Sequence, residues 1–177
     1  MTTNDDLMWR IHKVTLWFYQ GDTYRTSVVR SVTGEPWGHV ALEINDCVYS
    51  VSKGRLSGWY LKDSFPTPDV ILEIPVDPFP VSRLDSLPVG TKYPYWRTIL
   101  WWGFLCLPPV PSHCVQSCLS VLEMGNRKLR ARTVGELYEK ARQLQGSKEI
   151  LCGPGDCRST YSAVQQPCGA SATGVHG

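Results

Sequence analysis

Residues 38–51 read GHVALEINDCVYSV, and their alternation decides the fold. Val40, Leu42 and Ile44 step by two, with His39, Ala41 and Glu43 between them. That is the period of a strand with one face in a core. Asn45-Asp46 forms a two-residue hairpin turn and CVYSV is the return strand. With the turn placed there, Ser50 stands opposite Ala41 and Ser52 opposite His39. Both serines then share His39's face, away from Val40, Leu42 and Ile44.

The elements on either side follow from similar signals. WRIHKVTLWFYQ (9–20) is aromatic and β-branched and predicts a strand. RTSVVRSVTG (25–34) predicts a short helix ending at Gly34. After the hairpin comes a loop rich in Gly and Ser, then a strand in DVILEIPV (69–76), ended by the prolines at 75, 78 and 80. TKYPYWRTILWWGF (91–104) is expected to be helical from about Tyr95, and LPPVP (107–111) to be an extended turn. Ser112 caps a helix from His113 to Met124, with Gly125-Asn126 as its stop. Its apolar stripe is Val115, Cys118, Leu119 and Leu122. Thr133-x-x-Glu136 is a capping box opening a last helix to Gln145. The order of strands and helices gives an α+β class, an antiparallel sheet or barrel packed against helices. One domain is expected over 9–146, with a loose arm at 1–8. The Gly/Ser-rich, cysteine-containing segment 147–177 is expected to be a flexible tail.

Composition narrows the classes of function. The chain has 177 residues, 42% of them hydrophobic and 19% charged, enough for one packed core. A net charge of +2 argues against nucleic acid as partner. The N-terminus carries no secretory signal, and the longest apolar run, Ile99 to Val110, falls short of the ~20 residues that span a bilayer. A soluble chain is expected, in a host-cell cytoplasm or a virion. The cysteine count is odd at 7 and no CxxC pair occurs, which argues against a disulfide framework and against a zinc knuckle. No metal or cofactor is expected.

Two cysteines in PSHCVQSC (111–118) have different surroundings. Cys118 falls on the apolar stripe and reads as an inert buried thiol. Cys114 falls in the first helical turn, where unpaired N–H groups and the helix dipole favour a thiolate. A thiol nucleophile needs a base. His39 begins the central strand beside the small Ala41 and is the best placed of the 4 histidines. His113 adjoins Cys114 but points about 100° away on a helix. Glu43 lies about 13 Å along the strand from His39, too far to orient its ring. Ser50 or Ser52 can hold the far ring nitrogen instead.

The ordered set SVVRSVTGEPWGHVALEINDCVYSV, KYPYW, SHCVQSCLSVLEM and TVGELYEKARQL resembles the circularly permuted papain-like, NlpC-type superfamily. That superfamily includes YiiX-like proteins, the lecithin:retinol acyltransferase group and small phage proteins. The resemblance spans about residues 9 to 145. It implies a permuted papain-like fold with Cys114 as nucleophile, His39 as base, and a third polar residue on the following strand. Ser50 holds roughly that place, where relatives commonly have His or Glu. Tyr93 stands where relatives often have an aromatic beside the site, and Tyr93, His113 and Ser52 are candidate substrate contacts. The implied activity is a cysteine hydrolase acting on an amide, a peptidase or peptidoglycan amidase. One alternative is an acyltransferase or thioesterase whose ILWWGFLCLPP segment touches acyl chains or a membrane surface. Another is a non-catalytic binding or virion component that keeps only the scaffold.

Overall fold

The computed structural model describes residues 10–20, 36–51, 57–90 and 113–152. Strands β1 (Arg10–Gln20), β2 (Trp37–Ile44), β3 (Cys47–Ser50), β4 (Gly58–Leu61), β5 (Val70–Pro80) and β6 (Lys148–Leu151) form one sheet. Its order is β4-β3-β2-β1-β5-β6, and each neighbouring pair is antiparallel. Helices α1 (His113–Met124) and α2 (Val134–Arg142) complete an α+β architecture. The β2–β3 hairpin turns at Asn45 and Asp46, with φ of 48° and 62°. These are the two left-handed positions that a two-residue hairpin demands, and Asn and Asp tolerate them.

Both helices pack on one face of the sheet. Val40, Leu42, Phe18 and Leu72 meet Val115, Leu122 and Leu137 there in a single buried cluster. α1 lies against β2 and β1, and α2 against β2 and β5. Gly125 ends α1 hard against β5, since a Cβ at that position would stand 2.4 Å from Val76 Cβ. Asn126 (φ 59°) then reverses the chain, and the Arg127 N–H closes on the Leu122 carbonyl at 2.8 Å. α2 opens as its capping residue dictates, with the Glu136 N–H donating to Thr133 Oγ1 at 3.1 Å.

Several boundaries differ from the sequence reading. β5 runs on through Pro75 and Pro78 to Pro80 instead of stopping at the prolines. β6 pairs only with Val70 to Glu73, so beyond Glu73 β5 has β1 as its only strand partner among the described residues. Proline is tolerated where no ladder bond is asked of its nitrogen. β4 lies inside the segment read as a Gly/Ser loop. β6 lies inside the segment read as a tail, so the sheet extends past residue 146. α2 ends at Arg142, before Gln145, because Gln143 caps it and Gly146 (φ 83°) turns the chain into β6. The expected helix at 25–34 and the expected helix after Tyr95 fall outside the described residues, as do the Ser112 cap and the 1–8 arm.

Candidate active site

The second face of the sheet is also covered. Trp17, Tyr19, Ala41, Val48 and Phe65 form a smaller buried cluster on it. His39, expected on a non-core face, is 5% exposed, and Ser50 is 2% exposed. The β1–β2 register sets Tyr19 opposite His39, and their ring centroids lie 5.9 Å apart. His39 Nε2 and Ser50 Oγ are 3.0 Å apart, a buried hydrogen bond. Burial lowers the His39 pKa from 6.5 to about 4, so the imidazole is neutral at physiological pH.

Other polar groups on this face are paired as well. Trp17 Nε1 donates to Glu43 Oε2 at 2.6 Å, and Lys62 Nζ approaches Glu43 Oε1 at 2.5 Å. The Tyr19 hydroxyl donates to the Pro66 carbonyl at 2.8 Å. Glu43 is therefore committed to Trp17 and Lys62, in keeping with its being too distant to orient His39.

Cys114 and Cys118 lie on α1 and are buried, and neither is disulfide-bonded. Cys114 packs in the helix-side cluster that contains Val40, Leu42 and Tyr49. His39 and Ser50 alternate with those residues along their strands and face the other way. Cys118 is 1% exposed, and burial, followed by the neighbouring Cys114, pushes its thiol pKa well up. That is the inert thiol expected of the apolar stripe.

The direction of α1 follows from its ends. Ser117 hydrogen-bonds Tyr49 beside β3, whereas Gly125 accepts from the Asp77 N–H at 3.0 Å beside β5. Pro75 pairs with Lys13, near the start of β1, and His39 pairs with Tyr19, near its end. α1 therefore starts toward the His39 end of the sheet and finishes at the opposite end. At the His39 end, the β2–β3 ladder runs only from Ile44↔Cys47 to Leu42↔Tyr49. Beyond Leu42, β2 has a ladder partner only on its β1 side among the described residues. The flank of His39 away from β1 is thus not sealed by a described ladder.

Tyr93 and Ser52 lie outside the described residues, as does the His113 side chain. Sequence reasoning missed Tyr19 as the ring beside His39, because that contact depends on the β1–β2 register. It also missed a hydroxyl cluster one turn beyond Cys114. There the Tyr49 hydroxyl donates to the Pro88 carbonyl at 2.6 Å, with Ser57 and Ser117 also bonding to it. A cavity of about 190 Å³ adjoins this cluster, lined by Ser86, Pro88, Gln116, Ser117 and Ser120 among others.

Cys47 and Cys152 are disulfide-bonded. They stand on β3 and just after β6, with three strands between, so they are not joined to each other. Part of the cysteine set is therefore oxidised, although the odd count and chain length argue against a disulfide framework. Among the described residues, no helix is long and apolar enough to cross a membrane. Comparison with protein-family models, curated proteins and solved structures finds no match to this chain.

Proposed function

We propose that the chain is a thiol-dependent hydrolase of amide bonds, a peptidase or peptidoglycan amidase on a permuted papain-like scaffold, with Cys114 as nucleophile and His39 as base. What supports this reading is the buried His39–Ser50 pair, 3.0 Å apart, at the end of the sheet toward which the Cys114 helix starts. Because His39 and Cys114 lie on opposite faces, attack requires the ring to reach the thiol around the flank of β2 that no described ladder seals. A neutral imidazole held by one ring nitrogen is the form that accepts a proton. Its lowered pKa disfavours a resting thiolate–imidazolium pair, so His39 acts as a general base during attack. The thiolate adds to the amide carbonyl, and first-turn N–H groups of α1 stabilise the oxyanion. His39 returns the proton to the departing amine, and water resolves the thioester.

A specific observation favours a second reading, a binding scaffold without turnover. Cys114 packs with the helix-side cluster, and His39 lies beside the Tyr19 ring on the opposite face. Labelling by a fluorescent iodoacetamide separates the two readings. The hydrolase requires Cys114 to react faster than Cys118, and His39→Ala to slow that reaction by about 10²-fold or more, within the range of general-base assistance. Hydrolysis of a peptide or muropeptide library should vanish in Cys114→Ala and survive in Cys118→Ala. If His39→Ala leaves the Cys114 labelling rate unchanged in a folded protein, the hydrolase reading fails and the scaffold reading stands.

A further inference from the structure

The segment RKLRAR (127–132) carries four cations and no acid. It belongs neither to a helix nor to a strand, and its burial alternates: Lys128, Arg130 and Arg132 are exposed, while Arg127, Leu129 and Ala131 are buried or half-buried. Alternation by two is the signature of extended backbone. Successive outward cations are then about 6.6–6.8 Å apart.

Arg130 and Arg132 stand over a cavity of about 530 Å³ between this segment, α1 and α2. Leu119, Leu129 and Ala131 contribute its apolar lining, and Lys140 joins the two arginines on the rim. The one acid among the lining residues, Glu136, is already engaged: its Oε2 accepts the Arg132 N–H at 2.9 Å and lies 3.8 Å from Lys140 Nζ. Lys140 is further held on the Arg130 carbonyl at 2.6 Å. The guanidinium groups of Arg130 and Arg132 form no ion pair among the described residues.

We propose that this groove docks an extended acidic peptide of a partner, with an apolar side chain seated on Leu119 and Leu129 and carboxylates on alternate residues paired with Arg130 and Arg132. Charge complementarity selects the occupant. Arginine binds carboxylate in a planar, two-point geometry, and the two-residue spacing of the arginines matches that of carboxylates along an extended chain. The apolar lining supplies an anchor that a purely polyanionic ligand would leave unused. The proposal does not depend on the thiol chemistry.

The test is fluorescence anisotropy of the full chain with a fluorescein-labelled peptide of alternating Glu and Leu. The wild type should bind, and the double variant R130E/R132E should bind at least about tenfold more weakly. Leu129→Ser should weaken binding too, whereas Lys128→Glu, an exposed cation outside the cavity, should change it less than about twofold. All four positions are on the surface or half-buried, and circular dichroism checks their folding. No binding by the wild type overturns the proposal. So does an equal loss in Lys128→Glu, which would mean unspecific charge attraction. Equal binding of a Lys-Leu peptide, or preference for phosphatidylserine vesicles over the peptide through the same arginines, overturns it as well.

Discussion

The two faces of the sheet are built on different physics. The helix face is filled by side chains of complementary volume, such as Phe18, Leu42, Leu72 and Leu137, all fully buried. Its stability comes from removing apolar area from water. The opposite face buries His39, Ser50, Trp17 and Tyr19 among few aliphatics. Each of these has a hydrogen-bonding partner: Ser50 for His39, Glu43 for Trp17 and a backbone carbonyl for Tyr19. Buried polar groups contribute little net stability when paired and cost much when not. One face should therefore respond to changes in volume and the other to changes in proton occupancy.

The largest effect is expected where volume dominates. Phe18 contacts the rings of Trp37 and Tyr138, at centroid distances of 5.8 Å and 5.3 Å. Phe18→Ala should cost about 4 kcal/mol in denaturant unfolding, by lost transfer energy and the cavity left behind. That cost should be the same at pH 5 as at pH 7. A strong pH dependence would break the contrast between the faces.

Next comes proton occupancy. The folded-state pKa of His39 is lowered to about 4, below the unfolded value of 6.5. Above pH 6.5 the ring is neutral in both states and contributes no pH dependence. As pH falls from 6.5 toward 4, the unfolded chain binds a proton that the folded chain refuses, so stability declines. The full penalty is about 3 kcal/mol. Carboxylates titrate over part of this range, so the measure is the difference between wild type and His39→Gln. That difference should shrink steadily as pH drops through the window; a flat difference would remove His39 from the buried polar network.

A smaller effect belongs to Glu43, whose carboxylate serves Trp17 and Lys62 together. Glu43→Leu leaves the Trp17 N–H buried without its acceptor and should cost about 2 kcal/mol. The double variant Glu43→Leu/Trp17→Phe should recover part of that loss, because it removes the orphaned indole N–H, while Lys62 loses its carboxylate in both variants alike.

The same contrast explains what the sequence discloses. The Val40–Leu42–Ile44 alternation and Asn45-Asp46 are local signals, and the hairpin they predict is the one observed, down to the placement of Ser50 on the His39 side. α1 was legible at both ends because its apolar stripe and its Gly-Asn stop are local too. β4 (GWYL) and β6 (KEIL) were not, since four residues hold too little periodicity and their existence depends on neighbours far along the chain. The prolines of β5 mislead in isolation. Their tolerance depends on where β6 stops pairing, which no residue of β5 encodes. Likewise, burial of His39 and Ala41 requires Tyr19 and Phe65 to arrive from elsewhere, so a strand that reads as one-sided is covered on both sides. Of the candidate site, the shared face of His39 and Ser50 was legible in the strand alternation. Which face the α1 helix covers is a tertiary fact.

The smallest effect discriminates best between roles for Ser50. A hydroxyl both donates and accepts, so Ser50 can donate to a neutral Nε2 or rotate to accept from a protonated one. At neutral pH, Ser50→Ala removes one neutral hydrogen bond and should cost about 1 kcal/mol. A bond to the charged ring is worth more than a bond to the neutral ring, so losing the hydroxyl penalises imidazolium more than imidazole. The His39 pKa, followed by NMR of its ring protons, should therefore move further down in Ser50→Ala. A rise would mean that Ser50 holds only the neutral ring, as a fixed donor. In that case the same hydroxyl would oppose proton uptake by His39, and under the proposed hydrolase reading Ser50 would be a brake rather than a positioning residue.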